Sequence, residues 1–186
     1  MLTNSRKQTL TDSVKIFGNV KALALTALFI ALSIVLGKFL SFTVGPIRLS
    51  FENLTILMSG IIFGPVIGLI TGLISDVLGC LLYGYSINPI ITLGAASIGF
   101  ISGFVSHFLF KNRLFLNTLL SVALSHLIGS LIIKTIGLYV YYGYPMEAIL
   151  LRIPTYIIIS AAEFYIIYIL LKNKAIKRQL ENVCVK

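Results

Sequence analysis

The chain has 186 residues, of which 58% are hydrophobic and 11% are charged, and its mean hydropathy is +0.99. These values exclude an ordinary soluble domain and indicate an integral membrane protein. The net charge of +9 does not indicate a nucleic-acid-binding protein, because the basic residues lie in separate short segments along the chain.

Six apolar segments follow one another, and each predicts a membrane helix. About 20 residues at about 1.5 Å per residue span a hydrocarbon core of about 30 Å. Three dipeptides that end in proline mark breaks between the helices. Gly45–Pro46 lies in the loop 41–52, Gly64–Pro65 ends a short second helix, and Asn88–Pro89 begins the fourth helix. The predicted helices cover residues 21–40, 51–63, 65–82, 89–110, 116–140 and 148–171.

The predicted fold is all-α, with residues 1–186 forming a single membrane domain. Residues 1–20 are polar and basic and lack the apolar core and cleavage site of a removable signal peptide, residues 21–171 form the six-helix core, and residues 172–186 form a basic tail. Eleven of the 15 basic residues lie near the two termini or at Lys111 and Arg113. The positive-inside rule therefore predicts that both termini are cytoplasmic, where the basic tails contact anionic lipid.

Two lines of small residues predict that the third and fourth helices pack closely. Residues four positions apart share a helix face, and small side chains let helix backbones approach each other in a bilayer. The connecting loop contains Tyr83, Tyr85 and Asn88, which favours either the rim of a binding site or a capped turn with interfacial aromatic residues. The two lines are Gly64, Gly68 and Gly72, and Ala95, Gly99 and Gly103.

Polar residues lie along one face of three apolar helices. An ionisable side chain at the centre of a membrane helix costs about 2.5–3.5 kcal/mol, so it needs a protein partner or water. We therefore predict that the three faces meet in a cavity toward the outer side. The faces contain Gly72, Asp76, Gly79 and Tyr83; His126, Ser130, Lys134 and Tyr141; and Arg152, Tyr156, Ser160 and Glu163.

Four basic residues lie away from the cytoplasmic groups: Lys38, Arg48, Lys134 and Arg152. Such side chains bind carboxylates, which arginine contacts through two parallel hydrogen bonds. Nearby tyrosines supply flat faces for an aromatic ring, so these features predict an anionic, ring-bearing ligand. In the alternative interpretation, the four bases pair within the protein with four acids, Glu52, Asp76, Glu147 and Glu163.

The sequence does not indicate an enzyme or a metal site. Cys80 and Cys184 suggest neither a disulfide framework nor a metal centre, and the two histidines are isolated, with no His-Glu-x-x-His run. His126 is interpreted as a structural hydrogen-bonding residue. We expect no catalytic activity and no bound cofactor or metal.

Several motifs resemble the substrate-binding S components of energy-coupling factor (ECF) vitamin transporters over residues 21–171. They are the segment KALALTALFIALSIVLGKFL, Arg48-x-x-Phe51-x-x-Leu54, Phe63-Gly64-Pro65 and Asp76-x-x-Gly79. The run Ile87-Asn88-Pro89, followed by Thr92 and Gly94, is most similar to the folate-specific S components, the FolT family.

This resemblance implies a multi-pass protein of the bacterial cytoplasmic membrane that captures a vitamin at its outer face. It also implies partners, namely a membrane scaffold called the T component and two cytoplasmic ATPases, because this chain has no nucleotide-binding loop. In the family an Ala-x-x-x-Ala motif on the first helix contacts the scaffold. Ala27 and Ala31 match this motif, and ordinary packing within the protein is the alternative.

For folate, the resemblance and the residue types together predict a site. The pterin ring would stack on tyrosine and form hydrogen bonds with Asn88 and Asp76, while the glutamate carboxylates would contact Lys134, Arg152 or Arg48. An S component for riboflavin, thiamine or pantothenate, an intramembrane enzyme, and a channel or self-sufficient carrier remain alternatives. The predicted substrate-binding residues are Arg48, Asp76, Tyr83, Tyr85, Asn88, Lys134, Tyr141, Arg152 and Tyr156.

Overall fold

The computed structural model describes residues 19–44, 47–109 and 113–176. This part of the chain forms six helices, five of which are long and apolar enough to cross a membrane. The prediction of an all-α membrane protein with six helices is confirmed. The elements are α1 (Val20–Phe39), β1 (Ser41–Val44), β2 (Ile47–Ser50), α2 (Glu52–Phe63), α3 (Pro65–Tyr83), α4 (Pro89–Leu109), α5 (Leu114–Tyr142) and α6 (Met146–Lys172).

The segment 41–52, predicted as a loop, contains a β-hairpin. β1 and β2 are antiparallel, with Ser41 opposite Ser50 and Val44 opposite Ile47. The two strands are rich in β-branched and aromatic residues, which suit a pleated pair, and the pairing satisfies backbone groups that an open loop leaves without partners. The hairpin connects α1 directly to α2.

The contact between α3 and α4 is made by the backbones themselves. A Cβ placed on Gly99 would lie 3.0 Å from Gly68 Cα, and a Cβ placed on Gly72 would lie 2.7 Å from the carbonyl carbon of Ala95. Neither distance leaves room for a side chain, so the close packing predicted from the small residues is confirmed. We call this contact the glycine seam.

The short helix α2 forms the centre of the bundle. Its 12 residues extend about 18 Å, which is less than the thickness of a bilayer. Ile56, Leu57 and Phe63 of α2 are buried in one apolar cluster with Phe29 of α1 and Ile98 of α4. Because α2 is surrounded by protein, its ends do not need to reach the two surfaces of the bilayer.

Irregular helix geometry occurs near the polar residues of α5 and α6. Residues His126–Ile133 of α5 are π-helical, a geometry that is rare and often found at functional sites. Pro154 lies inside α6 and removes one backbone hydrogen bond from that helix. Gly84 (φ 75°) and Gly143 (φ 61°) end α3 and α5 in the left-handed conformation that favours glycine.

Candidate substrate cavity

A cavity of about 530 Å³ opens among the helices. Its wall includes Ser50 of the hairpin, Tyr85 of the α3–α4 loop and Tyr144 of the α5–α6 loop, so it lies at the end of the bundle where these three connections meet. All six helices contribute residues to the wall. The volume falls in the range of about 300–1,000 Å³ that small-molecule sites occupy.

Lys134 is a buried cation in the cavity wall. Its Nζ lies 3.3 Å from Glu52 Oε1 and 3.3 Å from Asn53 Oδ1. The prediction that Lys134 belongs to a cavity therefore agrees with its position, and so does the alternative that it pairs with an acid. The sequence did not identify Glu52 as the particular partner, because 82 positions separate the two residues.

Arg152 is a second buried cation of the wall and has different partners. Its Nη2 donates to the Tyr156 hydroxyl at 3.0 Å and to the Ser130 carbonyl at 3.4 Å, and its guanidinium lies 5.1 Å from the Tyr156 ring centre. Among the side chains that the structure describes, no carboxylate lies within ion-pair distance of Arg152, and its buried Nε has no hydrogen-bond partner. A buried cation in this state is suited to receiving an anion from outside the protein.

Asp76 places a carboxylate in the same wall. Its Oδ2 accepts a hydrogen bond from Thr92 Oγ1 at 2.7 Å, which joins α3 to α4 just beyond the glycine seam. Among the described residues, the cavity wall thus contains two acids, Glu52 and Asp76, and two bases, Lys134 and Arg152.

Tyrosines supply the aromatic surface of the cavity. Tyr83 donates its hydroxyl hydrogen to the Ile34 carbonyl of α1, and its ring lies edge-on to Tyr85, with the ring centres 6.0 Å apart. Lys38 Nζ lies 5.3 Å from the centre of the Tyr83 ring, so this lysine makes a cation–π contact. The tyrosines of the wall are Tyr83, Tyr85, Tyr142, Tyr144 and Tyr156.

Asn88 lies in the wall but uses its amide within the protein. Its Oδ1 accepts from the Ile90 backbone N–H at 3.0 Å, which caps α4, and its Nδ2 donates to the Gly137 carbonyl of α5 at 3.3 Å. Such an N-cap satisfies a backbone donor at the start of a helix. Asn88 therefore holds α4 against α5, and it forms the capped turn that the sequence offered as one of two interpretations of this loop.

Two predicted binding residues are not brought to the cavity by the described structure. Tyr141 is absent from the wall; its side chain is 57% exposed and its ring packs against Tyr142, which does line the cavity. Adjacent helical residues point in different directions, so Tyr142 and not Tyr141 faces the cavity in this structure. The Arg48 side chain lies outside the described residues, although its backbone pairs with Thr43 in the hairpin.

A buried polar cluster joins α5 to α6. His126 Nε2 lies 2.5 Å from Glu163 Oε2, and His126 Nδ1 lies 3.1 Å from Ser130 Oγ. The interpretation of His126 as a structural hydrogen-bonding residue agrees with these contacts. Among the described side chains, Glu163 is therefore a partner of His126 and not of Lys38, Lys134 or Arg152.

Ala27 and Ala31 lie on the exposed face of α1, whereas Thr26, Ser33 and Gly37 are buried on its other side. The two alanines are one turn apart, so they form a shallow strip that another helix can approach. Both alanines are exposed in the described part of the molecule, so the strip they form is open to another helix there.

Sequence reasoning missed Asn53 and Thr92 as parts of the site. Asn53 follows Glu52 at the start of an otherwise apolar helix, and this pair of polar residues was the available signal. Thr92 lies one turn after Asn88, on the face of α4 that meets Asp76.

Comparisons with known proteins agree with this architecture. The family model of the substrate-specific component of ECF transporters matches residues 21–185. A probable biotin transporter BioY of Pyrococcus horikoshii is 38% identical over 61 residues, which are 33% of this chain and 37% of that protein. A folate transporter FolT of Clostridium novyi is 39% identical over 64 residues, which are 34% of this chain and 37% of that protein.

Each of these matches thus spans little more than a third of the curated relative. A crystal structure of FolT bound with folic acid has a similar fold, with a TM-score of 0.67 and 25% sequence identity over 80% of this chain and 91% of that one. From the family match over nearly its whole length and this shared fold, the chain belongs to the substrate-specific components of ECF transporters.

Proposed function

We propose that this chain is the folate-binding S component of an ECF transporter in a bacterial cytoplasmic membrane. In this proposal it captures folate at the outer face and docks on a T component that carries two ATPases. The observation that carries the proposal is the combination of groups in the cavity, where a carboxylate on α3 and buried cations on α5 and α6 line the same space as five tyrosines.

Folate has the complementary groups. Its pterin ring is flat and bears hydrogen-bond donors that suit a carboxylate such as Asp76, and its glutamate bears two carboxylates that suit Arg152 and Lys134. The ring can stack on Tyr83, Tyr85 or Tyr156. The similarity to FolT of C. novyi and to the folic-acid-bound FolT structure supports the same ligand.

Biotin is the second candidate, because the chain is also similar to a probable biotin transporter. Biotin has a single carboxylate and no large aromatic ring. It would therefore satisfy only one of the two buried cations and leave most of the tyrosine surface without a partner.

Folate binding to the purified protein tests the proposal by isothermal titration calorimetry. Arg152→Gln and Lys134→Gln each remove charged hydrogen bonds worth about 1.5–3 kcal/mol, so we expect the Kd for folate to rise about 10- to 100-fold in either variant. Lys38→Gln is the matched control, because Lys38 is an exposed cation near the same cavity, and we expect its effect to be much smaller.

Wild-type affinity in both the Arg152→Gln and Lys134→Gln proteins would rule out the assigned carboxylate site. Competition against labelled folate by biotin, riboflavin, thiamine and pantothenate then tests the vitamin itself. Displacement by biotin at a lower concentration than unlabelled folate would favour the second candidate.

A further inference from the structure

The two buried cations of the cavity differ in one respect. Arg152 contacts no carboxylate among the described side chains, whereas Lys134 lies 3.3 Å from Glu52 Oε1. A ligand carboxylate can therefore approach Arg152 directly, but at Lys134 it meets a site that a carboxylate of the protein already occupies.

Glu52 is the more exposed partner of this ion pair. Its side chain is 30% exposed, against 7% for Lys134, and it lies at the cavity surface. Asn53, which is buried, also accepts a hydrogen bond from Lys134 Nζ. Asn53 can thus keep the ammonium group in place after the Glu52 carboxylate has moved away.

The position of Glu52 in its helix makes such movement inexpensive. Glu52 is the first residue of α2, where the backbone N–H groups at the helix N-terminus favour a negative charge. Its carboxylate also borders α1, since a Cβ on Gly37 would lie 3.1 Å from Glu52 Oε2. The carboxylate therefore keeps a favourable electrostatic environment when it is not paired with Lys134.

We propose that Glu52 is a specificity residue of the cavity. Its carboxylate pairs with the Lys134 ammonium group until a carboxylate of the ligand takes its place. This inference rests on the proposed function, because it requires an acidic vitamin. A small anion that binds only Lys134 gains too little to displace Glu52, whereas a vitamin that also contacts Arg152 and the tyrosines gains enough. Glu52 thus lowers the affinity for acidic ligands in general and reserves Lys134 for one that fits the whole cavity.

The test compares Glu52→Gln with wild type, using folate and its diamide, in which both glutamate carboxylates are replaced by amides. Glutamine keeps the shape of glutamate and can still accept a hydrogen bond from Lys134, so we expect the fold to persist, and a thermal melt of the ligand-free protein checks this. We expect Glu52→Gln to bind folate about fivefold more tightly and to bind the diamide with unchanged affinity. In a Lys134→Gln background the gain should disappear.

Asp76→Asn is the matched control, because it removes a negative charge from the same cavity without removing a contact to Lys134. We expect it to weaken folate and the diamide alike, through the pterin end. If Asp76→Asn instead tightens folate as much as Glu52→Gln does, the effect is general electrostatics and the inference is wrong. Equal or weaker folate binding by Glu52→Gln also overturns it.

Failure of the proposed function has a separate signature, which is that wild-type protein binds no folate. The same comparison is then made with biotin and biotin amide. If Glu52→Gln binds biotin more tightly than wild type does and binds biotin amide equally, the inference holds for a different acidic vitamin. If the affinity for biotin does not rise, or if biotin does not bind at all, the inference is overturned as well.

Discussion

At the scale of single residues, Gly94 determines where the Lys134 side chain can lie. A Cβ on Gly94 would lie 2.5 Å from Lys134 Cγ and 3.0 Å from the Gly129 carbonyl oxygen. Both distances are too short for a carbon atom, and the carbonyl belongs to a backbone that cannot rotate away. The missing side chain at Gly94 is therefore a condition for the contacts of Lys134 with Glu52 and Asn53.

Gly94→Ala is expected to displace Lys134 and to weaken folate binding about tenfold, the equivalent of roughly one charged hydrogen bond. Overpacking should also lower the free energy of unfolding by about 1–3 kcal/mol. Calorimetry and thermal melting measure the two effects. Gly79→Ala is the matched control, because Gly79 also lines the cavity but its added Cβ would meet its nearest atom at 3.6 Å. An affinity equal to that of Gly79→Ala would show that Lys134 does not depend on Gly94.

Individual cavity residues were predictable to a limited depth. A lysine or arginine in an apolar helix must face protein or water, and this reasoning placed Lys134 and Arg152 correctly in the wall. Their partners were not predictable, because Glu52 is distant in sequence from Lys134 and Arg152 contacts a backbone carbonyl. For Asn88 the position was predictable but the role was not, since an asparagine suits a ligand contact as well as the helix cap that it forms.

At the scale of helices, the glycine seam fixes α3 against α4. Gly68, Gly72 and Gly99 have no side chains to hold the two backbones apart. Dispersion contacts and weak Cα–H hydrogen bonds at such distances stabilise helix pairs in membranes. The seam sets the spacing between Asp76 on α3 and Thr92 on α4, whose oxygen atoms are 2.7 Å apart.

Gly99→Ala is expected to lower the melting temperature of the purified protein markedly, because the new Cβ would lie 3.0 Å from Gly68 Cα and one helix must shift. Overpacking of this kind costs about 1–3 kcal/mol. Thermal melting of the detergent-solubilised protein measures the loss, with Gly79→Ala on α3 as the control. A melting temperature at or above that of the control would mean that the helices can separate at little cost.

Helix bounds were predictable because proline, glycine and charge mark the ends of apolar segments, as at Gly64–Pro65 and Asn88–Pro89. The hairpin was not predicted, since strands of four residues are too short for alternation to distinguish them from an extended loop. The π-helical segment His126–Ile133 was not predicted either. Its geometry is associated with contacts to α6, such as His126 to Glu163, that no local pattern encodes.

At the scale of the whole molecule, the cavity and the exposed alanine strip of α1 lie in different places. The cavity lies at the end of the bundle that contains the hairpin and the α3–α4 and α5–α6 loops, while Ala27 and Ala31 lie on the outward side of α1. Composition predicted the six-helix membrane architecture. The orientation in the membrane remains a prediction from the placement of basic residues.

Ala27→Trp and Ala31→Trp are expected to leave folate binding by the isolated protein intact and to abolish folate uptake by cells. A bulky ring on this strip prevents a scaffold helix from approaching, so co-purification with the T component should also be lost. Leu32→Trp is the matched control, since Leu32 is also exposed but points to a different side of α1 from its neighbour Ala31. Normal uptake by both alanine variants would show that the scaffold binds elsewhere.

One helix borders both surfaces, because Ser33 of α1 lines the cavity and Ala27 and Ala31 lie on its opposite side. Thermodynamic linkage then constrains the transport cycle: if a filled cavity changes the affinity for the scaffold by some factor, the scaffold changes the affinity for the vitamin by the same factor. A scaffold that prefers the empty form would therefore expel the vitamin on docking, and one that prefers the loaded form would retain it. Vitamin affinity measured with and without the scaffold would reveal which of these two cycles the transporter follows.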